Sequence, residues 1–236
     1  MSFFIMSLLA PHSNCFPSSF LKPLCLHISV KSHLLLCLGT PFLVFSCKQN
    51  LKKKAVQMDG KEGDDEFSEI TLRPLDLSDI DDVMVWATDD KVSLFCTWDT
   101  YTCREQAMDY VNNIAIPHPW LRAICLENRA IGSISVTPKS GNDRCRVELG
   151  YAIASNYWGR GIVTRAVKMV ASIIFSEWPH LERLEALVDL DNLGSQKVLE
   201  KAGFHREGVL RKYITMKGRT RDMVIFSLLS TDPRLH

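Results

Sequence analysis

The stretch Glu148 to Thr164, ELGYAIASNYWGRGIVT, constrains the fold more than any other part of this chain. A strand-like run, Val147 to Ile153, ends in the turn-prone pair Ser155-Asn156. Gly159 and Gly161 follow, one residue apart, and a helical pattern starts at once, apolar at Ile162, Ala166, Met169, Val170 and Ile173. A strand that feeds a glycine turn into a helix N-terminus makes an anion site. The first-turn amides have no intrahelical partner, the helix dipole favours negative charge, and glycine lets the backbone come close to the anion. The segment predicts a phosphate-bearing ligand at this turn, with Glu148 one strand-length upstream.

Two common glycine loops fit poorly. A P-loop needs G-x-x-x-x-G-K-[ST], and that spacing is absent. The dinucleotide fingerprint G-x-G-x-x-G is met at Gly159 and Gly161 but finds Thr164 at its third place, which weakens an NAD-binding oxidoreductase. A glycine pair can also be a tight turn and nothing more, so the loop needs a second signal.

That signal is DNLGSQKVLEKAGFHREGVLR, Asp191 to Arg211. With YWGRGIVTRAV, Tyr157 to Val167, it makes the chain resemble the GNAT N-acetyltransferases over roughly Glu69 to Leu229. The likeness is best to the RimJ/RimL-type branch, which acetylates N-terminal amines of ribosomal proteins; plant proteins of unassigned substrate are similar too. The family's pyrophosphate loop, [QR]-x-x-G-x-[GA], reads Asn156-Tyr157-Trp158-Gly159-Arg160-Gly161 here, and Asn156 departs from it. The resemblance implies the acyl-CoA N-acyltransferase fold over residues 59–236, an α/β architecture with a mixed, mostly antiparallel sheet of about seven strands and about four flanking helices. It implies acetyl-CoA as co-substrate, no metal, and a primary amine as acceptor, expected to be the α-amino group of a protein N-terminus. A small amine, a lysine side chain, or a CoA-binding module without turnover are the rival readings.

The resemblance also assigns residues. Strand backbone near Leu149, Tyr151 and Ile153 would bind the pantetheine arm. Amides of Trp158, Gly159, Arg160, Gly161, Ile162 and Val163 would hold the phosphates. Arg160 and Arg165 either add charge there or form a solvated helix face. Glu148 is the expected general base, or else a satisfied structural carboxylate. Asn192 and Ser195, an N-x-x-S pair, open a helix; Asn192 would cap it and touch the pantetheine, and Ser195 would lie near the sulfur. Many family members carry a tyrosine acid where Leu199 stands here, so Ser195 is the expected substitute, with Tyr213 second. Trp86, Trp98, Trp120 and His118 are candidates for the acceptor wall or are core and loop anchors. Asp222 is expected to be structural, pairing with Arg219 or Arg211.

The remaining elements follow from period and punctuation. Strands are expected at Phe67–Pro74, Trp120–Glu127, Ala130–Thr137, Arg144–Ala154, Arg183–Leu190, Arg206–Met216 and Asp222–Leu229. Tight turns are expected at Asn128-Arg129 and Lys217-Gly218. Helices are expected at Asp79–Ala87 after an Asp76 cap, at Arg104–Ile114 capped by Thr102, at Gly161–Ser176, and at Asn192–Lys201 closed by Gly203. Val92 to Trp98 reads as an irregular link.

Charge divides the chain. Residues 1–58 carry six Lys and no Arg, Asp or Glu, whereas the rest carries 22 basic against 27 acidic residues. A mildly acidic domain argues against nucleic-acid binding and suits amine-bearing acceptors. The leader is apolar and Ser-rich, with no apolar run long enough to cross a bilayer. Two readings stay open: a plastid transit peptide, or an over-extended gene model preceding Met58. Either way it is expected to stay outside the fold. The location is then cytoplasmic, or plastid if the leader is real, and the oligomer a monomer or homodimer. The four domain cysteines, Cys96, Cys103, Cys125 and Cys145, show no metal or redox spacing and read as small buried hydrophobes.

Overall fold

The computed structural model describes residues 69–233, so the readings of the leader and of Phe67 fall outside the described residues. Seven runs of alternating or β-branched sequence pair into one sheet. They are β1 (Ile70–Arg73), β2 (Leu121–Leu126), β3 (Arg129–Pro138), β4 (Arg146–Ile153), β5 (Arg183–Asp189), β6 (His205–Met216) and β7 (Arg219–Leu229), in the order β1-β2-β3-β4-β5-β7-β6. Every neighbouring pair is antiparallel except β4 with β5.

Period-two alternation sorts side chains to the two faces. Val147, Leu149, Tyr151 and Ile153 of β4 join Leu184, Ala186 and Val188 of β5 in one buried layer. Over that layer lie α4 (Ile162–Glu177) and α5 (Leu193–Lys201). Leu121, Ala123, Cys125 and Ala152 face the other way, under α1 (Ile80–Ala87), α2 (Asp90–Ser93) and α3 (Arg104–Asp109). The second layer covers the β1–β4 half. On that same face the β5–β7 half carries Arg183, Glu185, Asp189, Arg221 and Ser227 instead, a polar floor between the helices and the β6–β7 hairpin.

The helices differ from expectation in three ways. Among the described residues there are five α-helices, because the Val92–Trp98 link starts inside α2, whose first turn is capped by the Asp89 carboxylate accepting the Lys91 N–H. The second expected helix starts at a Cys103 cap, not Thr102, since the Gln106 side-chain oxygen accepts the N–H groups of both. From Tyr110 to Ala115 it widens into a π-helix, and that turn carries Tyr110, Val111 and Ala115 to the buried side.

Smaller corrections concern the ends. The β2–β3 turn falls on Glu127-Asn128, both left-handed, one residue before the expected pair. Strand β7 begins at Arg219, three residues early, directly after the expected Lys217-Gly218 turn. Cys96 and Cys125 are buried as expected, but Cys103 is exposed and Cys145 half-buried. Among the described residues no helix is long and apolar enough to cross a membrane.

Gly132 in β3 shows how tightly the β3–β4 pair is set. A Cβ there would stand 2.8 Å from the Ile153 Cα and closer still to the Ala152 carbonyl oxygen. Both obstacles are backbone, so neither can swing aside. Gly132→Ala should therefore cost about 1–3 kcal/mol of stability, read as a lower urea midpoint with an unchanged slope.

Candidate active site

The site begins where β4 and β5 stop pairing. They share only three rungs: Arg146 with Arg183, Val147 with Leu184, and Glu148 with Glu185. Beyond Glu148, β4 runs on to Ile153 still paired with β3, and β5 runs on to Asp189 still paired with β7. A wedge opens between Leu149–Ile153 and Ala186–Asp189, lined on both sides by strand backbone. Such an edge can hydrogen-bond an extended ligand. Leu149, Tyr151 and Ile153 offer it backbone only, because their side chains are buried in the α4/α5 layer. The Ile153 carbonyl is already taken by the Trp158 indole N–H at 3.1 Å.

Past the wedge the chain makes a single 3-10 turn, Ser155–Tyr157, and reaches α4 through Trp158-Gly159-Arg160-Gly161. Gly159 and Gly161 have φ of 77° and 72°, a conformation that costs other residues but not glycine. A Cβ at either would meet nothing within 4 Å, so the glycines serve the backbone's path rather than crowding. Gly161 is the N-cap of α4 and supplies no side-chain cap; the first turn carries no acid. The first-turn amides of Ile162, Val163 and Thr164 thus end a sixteen-residue helix with its positive pole uncompensated by a side chain. Arg160 lies 5.4 Å from the Tyr157 ring and Arg165 is exposed, so both guanidinium groups are free to meet an anion in solvent.

At the start of α5, the Asn192 side chain accepts the Ser195 N–H at 3.2 Å and caps the helix. Both residues are buried. The Ser195 hydroxyl donates to the Tyr151 hydroxyl at 3.0 Å, which in turn reaches the Ser195 carbonyl at 3.4 Å. This hydroxyl pair joins β4 to α5. Burial pushes the Tyr151 phenol well above its usual pKa, the Ser195 hydrogen bond pulling weakly the other way, so the phenol keeps its proton at neutral pH. The sequence reading had Tyr151 as backbone alone; its side chain as the partner of Ser195 could not be seen without the fold.

Glu148 sits on the last rung, facing the α1–α3 side, and is buried. Its Oε2 accepts from Lys139 Nζ at 2.6 Å. Beside it, Glu185 is equally buried and accepts from Arg146 at 2.5 Å and Arg183 at 2.9 Å. Arg183 also grips Glu207, whose carboxyl is held down at about 2 mainly by that contact. Two like charges on adjacent strands would repel; the three cations offset this. On the other flank, Thr137 pairs with Glu148 across β3–β4 and meets the His118 ring at 3.1 Å. His118 Nδ1 accepts the Trp120 N–H, which leaves the proton on Nε2 to be donated to Thr137. Burial lowers the His118 pKa, so the ring is neutral at pH 7. Lys139 and Glu185 were not anticipated, because only the strand register brings them to Glu148.

Other expected residues separate. Trp86 and Trp98, with Tyr101 and Tyr110, line a small cavity on the α1–α3 side. Trp120 belongs to the opposite layer: its indole donates to Glu177 at 2.8 Å and Arg122 stacks on it. It anchors α4 and is not an acceptor wall. Tyr213 is half-exposed, on the β6 bulge between Leu210 and Ile214. Asp222 accepts the Lys212 backbone N–H at 2.7 Å, the bulge having turned that amide inward, and not an Arg219 or Arg211 side chain. At the hairpin tip, Lys217 Nζ donates to the Ser93 carbonyl of α2 at 2.9 Å. Among the described residues no group of three or more His, Cys, Asp or Glu is placed to hold a metal.

The parted parallel strand pair, the glycine loop at an uncapped helix and the buried carboxylate at the fork are grouped around β4. The acetyltransferase (GNAT) domain matches residues 69–205. An uncharacterized N-acetyltransferase, p20 of Bacillus licheniformis, is 30% identical over 169 residues, covering 69% of this chain and 94% of that protein. A GNAT-family acetyltransferase structure from Bacillus anthracis superposes with a TM-score of 0.64 at 22% identity, covering 71% of this chain and 98% of that one. RimL, the ribosomal L7/L12 alpha-N-protein acetyltransferase in complex with coenzyme A, gives 0.60 at 18% identity, covering 68% and 93%. The chain belongs to the GNAT acetyltransferases and is an acetyl-CoA-dependent N-acetyltransferase, with ribosomal-protein N-acetyltransferases among its relatives.

The Tyr151–Ser195 pair makes a stability prediction. Each of Tyr151→Phe and Ser195→Ala leaves a buried hydroxyl partner behind and should cost about 1–3 kcal/mol. The double variant should cost less than the sum by about 1 kcal/mol, because both remove one shared bond. Chemical unfolding of the four proteins measures the cycle; additive losses would show that the bond carries no coupling.

Proposed function

We propose that the acceptor is the α-amino group of a protein N-terminus and that Glu148 takes its proton. The observation that carries this reading is the place of Glu148: buried on the last β4–β5 rung, with Oε2 fixed by Lys139. In this reading Oε1 is the oxygen that takes the proton. A nearby amine must lose a proton before it can attack, and a carboxylate in reach, directly or through one water, serves that need. RimL's action on a protein α-amine is the analogy for the acceptor. The mildly acidic domain is compatible with a cationic amine.

Acetyl-CoA supplies the acetyl group already activated as a thioester. The Trp158–Val163 amides would hold its phosphates, with Arg160 and Arg165 adding charge, and the free edge of β4 at Leu149–Ile153 would hold the pantetheine arm beside Asn192. Transfer is direct: the acceptor nitrogen bonds the carbonyl carbon as the C–S bond breaks. The Ser195 hydroxyl, which otherwise donates to the Tyr151 phenol, would turn to give its proton to the departing thiolate and regain one from water, so that the proton Glu148 takes and the one sulfur gains balance. Tyr213 is the alternative donor, exposed on the hairpin.

Thermal unfolding of the full chain with and without acetyl-CoA tests the carrier site. Ligand at 100 times its dissociation constant adds about 2.7 kcal/mol to the wild-type fold. Gly161→Asp, which forces a side chain into a left-handed cap and places a negative charge on the anion site, should abolish the rise. No rise in the wild type at millimolar acetyl-CoA would sink the assignment of the loop. Glu148→Gln should keep the acetyl-CoA shift yet lower kcat/KM for a peptide acceptor by about 10² to 10⁴. An unaltered kcat/KM would remove Glu148 from the chemistry.

A further inference from the structure

Glu148 and Glu185 are buried side by side on the last β4–β5 rung, yet their counter-charges differ in kind. Glu185 accepts from two guanidinium groups, Arg146 at 2.5 Å and Arg183 at 2.9 Å. A guanidinium keeps its proton in water and has no acceptor lone pair to offer. Glu148 accepts instead from an amine, Lys139 Nζ, at 2.6 Å. An ammonium can give up a proton, and the amine left behind is a nucleophile. Of the two carboxylates, Glu148 is therefore the one that faces a group of the kind this enzyme acetylates.

Backbone pairing puts that amine in place. Ser133, Ser135 and Thr137 alternate along β3 on the Glu148 face, and Thr137 pairs with Glu148 across β3–β4. Lys139 continues the alternation two residues on, just past the strand end at Pro138. Its own N–H reaches the Arg146 carbonyl at 3.4 Å, which holds its backbone beside the start of β4. From there the flexible four-carbon stem carries the ammonium to the Glu148 carboxylate. The lysine side chain is 26% exposed against 5% for Glu148, so it is the more open partner. The free edge of β4 starts at Leu149, about 3.3 Å past Glu148. A general base must lie within hydrogen-bond reach of the proton it takes, and the Lys139 proton is already in that reach.

We propose that Lys139 is itself a modification site: without another amine present, the enzyme acetylates its own Lys139. The proposal rests on the reading of Glu148 as base and of the β4 edge as the acetyl-CoA site. Glu148 takes a proton from Lys139 Nζ through Oε2, the nitrogen bonds the thioester carbonyl carbon, and the C–S bond breaks with its electron pair going to sulfur. The nitrogen loses two protons in all; one ends on the thiolate and the other reaches solvent from Glu148. The product is an uncharged amide. Buried Glu148 then lacks its cation, so the acetylated chain should melt below the unmodified one.

The test incubates the full chain with acetyl-CoA and no added acceptor, and locates acetyl groups by mass spectrometry of its peptides. Lys91, Lys201 and Lys212 are exposed and serve as the reference for uncatalysed acetylation, which follows exposure. Wild-type Lys139 should be acetylated about tenfold faster than these three or more, at a fractional rate independent of protein concentration. Glu148→Gln should slow Lys139 by about 10² to 10⁴ and leave the reference lysines as before. Thermal unfolding checks that the variant is folded, and the wild-type comparison decides even where it is not. Lys139 acetylated no faster than the exposed lysines, a rate that rises with protein concentration, or an equal rate in folded Glu148→Gln overturns the proposal. Turnover of a peptide with a free α-amine is measured on the same proteins. If Glu148→Gln slows the peptide while wild-type Lys139 stays unmodified, the base reading stands and self-acetylation falls. If Lys139 is modified through Glu148 and the peptide is not, self-acetylation stands and the N-terminal acceptor reading falls.

Discussion

Everything at the site depends on β4 and β5 being neighbours that part. Three parallel rungs hold them together, and the third ends at Glu148 and Glu185. Had the pairing continued, the β4 edge would be spent on β5 and nothing could lie between them. Beyond that rung β4 continues only with β3 and β5 only with β7, each through a long antiparallel ladder. The opening is therefore a property of the whole sheet, and the glycine loop, the α5 cap and the Glu148 carboxylate are arranged around it.

The electrostatic cost of this arrangement is considerable. Glu148 and Glu185 are both nearly sealed from solvent on adjacent strands. Removing the cation from a buried pair typically costs about 3–5 kcal/mol, because the remaining charge has no water to turn to. Lys139, Arg146 and Arg183 are thus as structural as any apolar side chain near them. They also hold the two carboxylates in place.

Much of this was legible in the chain itself. Strand alternation, the Gly159–Gly161 turn and the Asn192–Ser195 cap are local signals, and they predicted seven strands and the loop in their right order. What was not legible depends on register. That Lys139 would meet Glu148 depends on the β3–β4 register, and that the Tyr151 hydroxyl would meet Ser195 depends on how α5 packs on β4, 44 residues away in sequence. The misplaced features have similar causes. Trp120 was an acceptor candidate by residue type, but it stands one residue before β2 and packs in the opposite layer from Leu121. The π-helical turn at Tyr110–Ala115 breaks the 3.6-residue period on which the helix reading relied. Asp222 was given an arginine because its neighbours are arginines, whereas a bulge in β6 presented a backbone amide instead.

Lys217 gives the site one more property. By donating to the Ser93 carbonyl, the hairpin tip touches the helical layer on the far side of the opening. The path from β4 through β5 and β7 to Lys217, over to α2, and back through α1 to β3 is a closed circuit of contacts. The β6–β7 hairpin and the helical layer are therefore tied to each other at a point remote from the three β4–β5 rungs, so a displacement of either one is carried to the other.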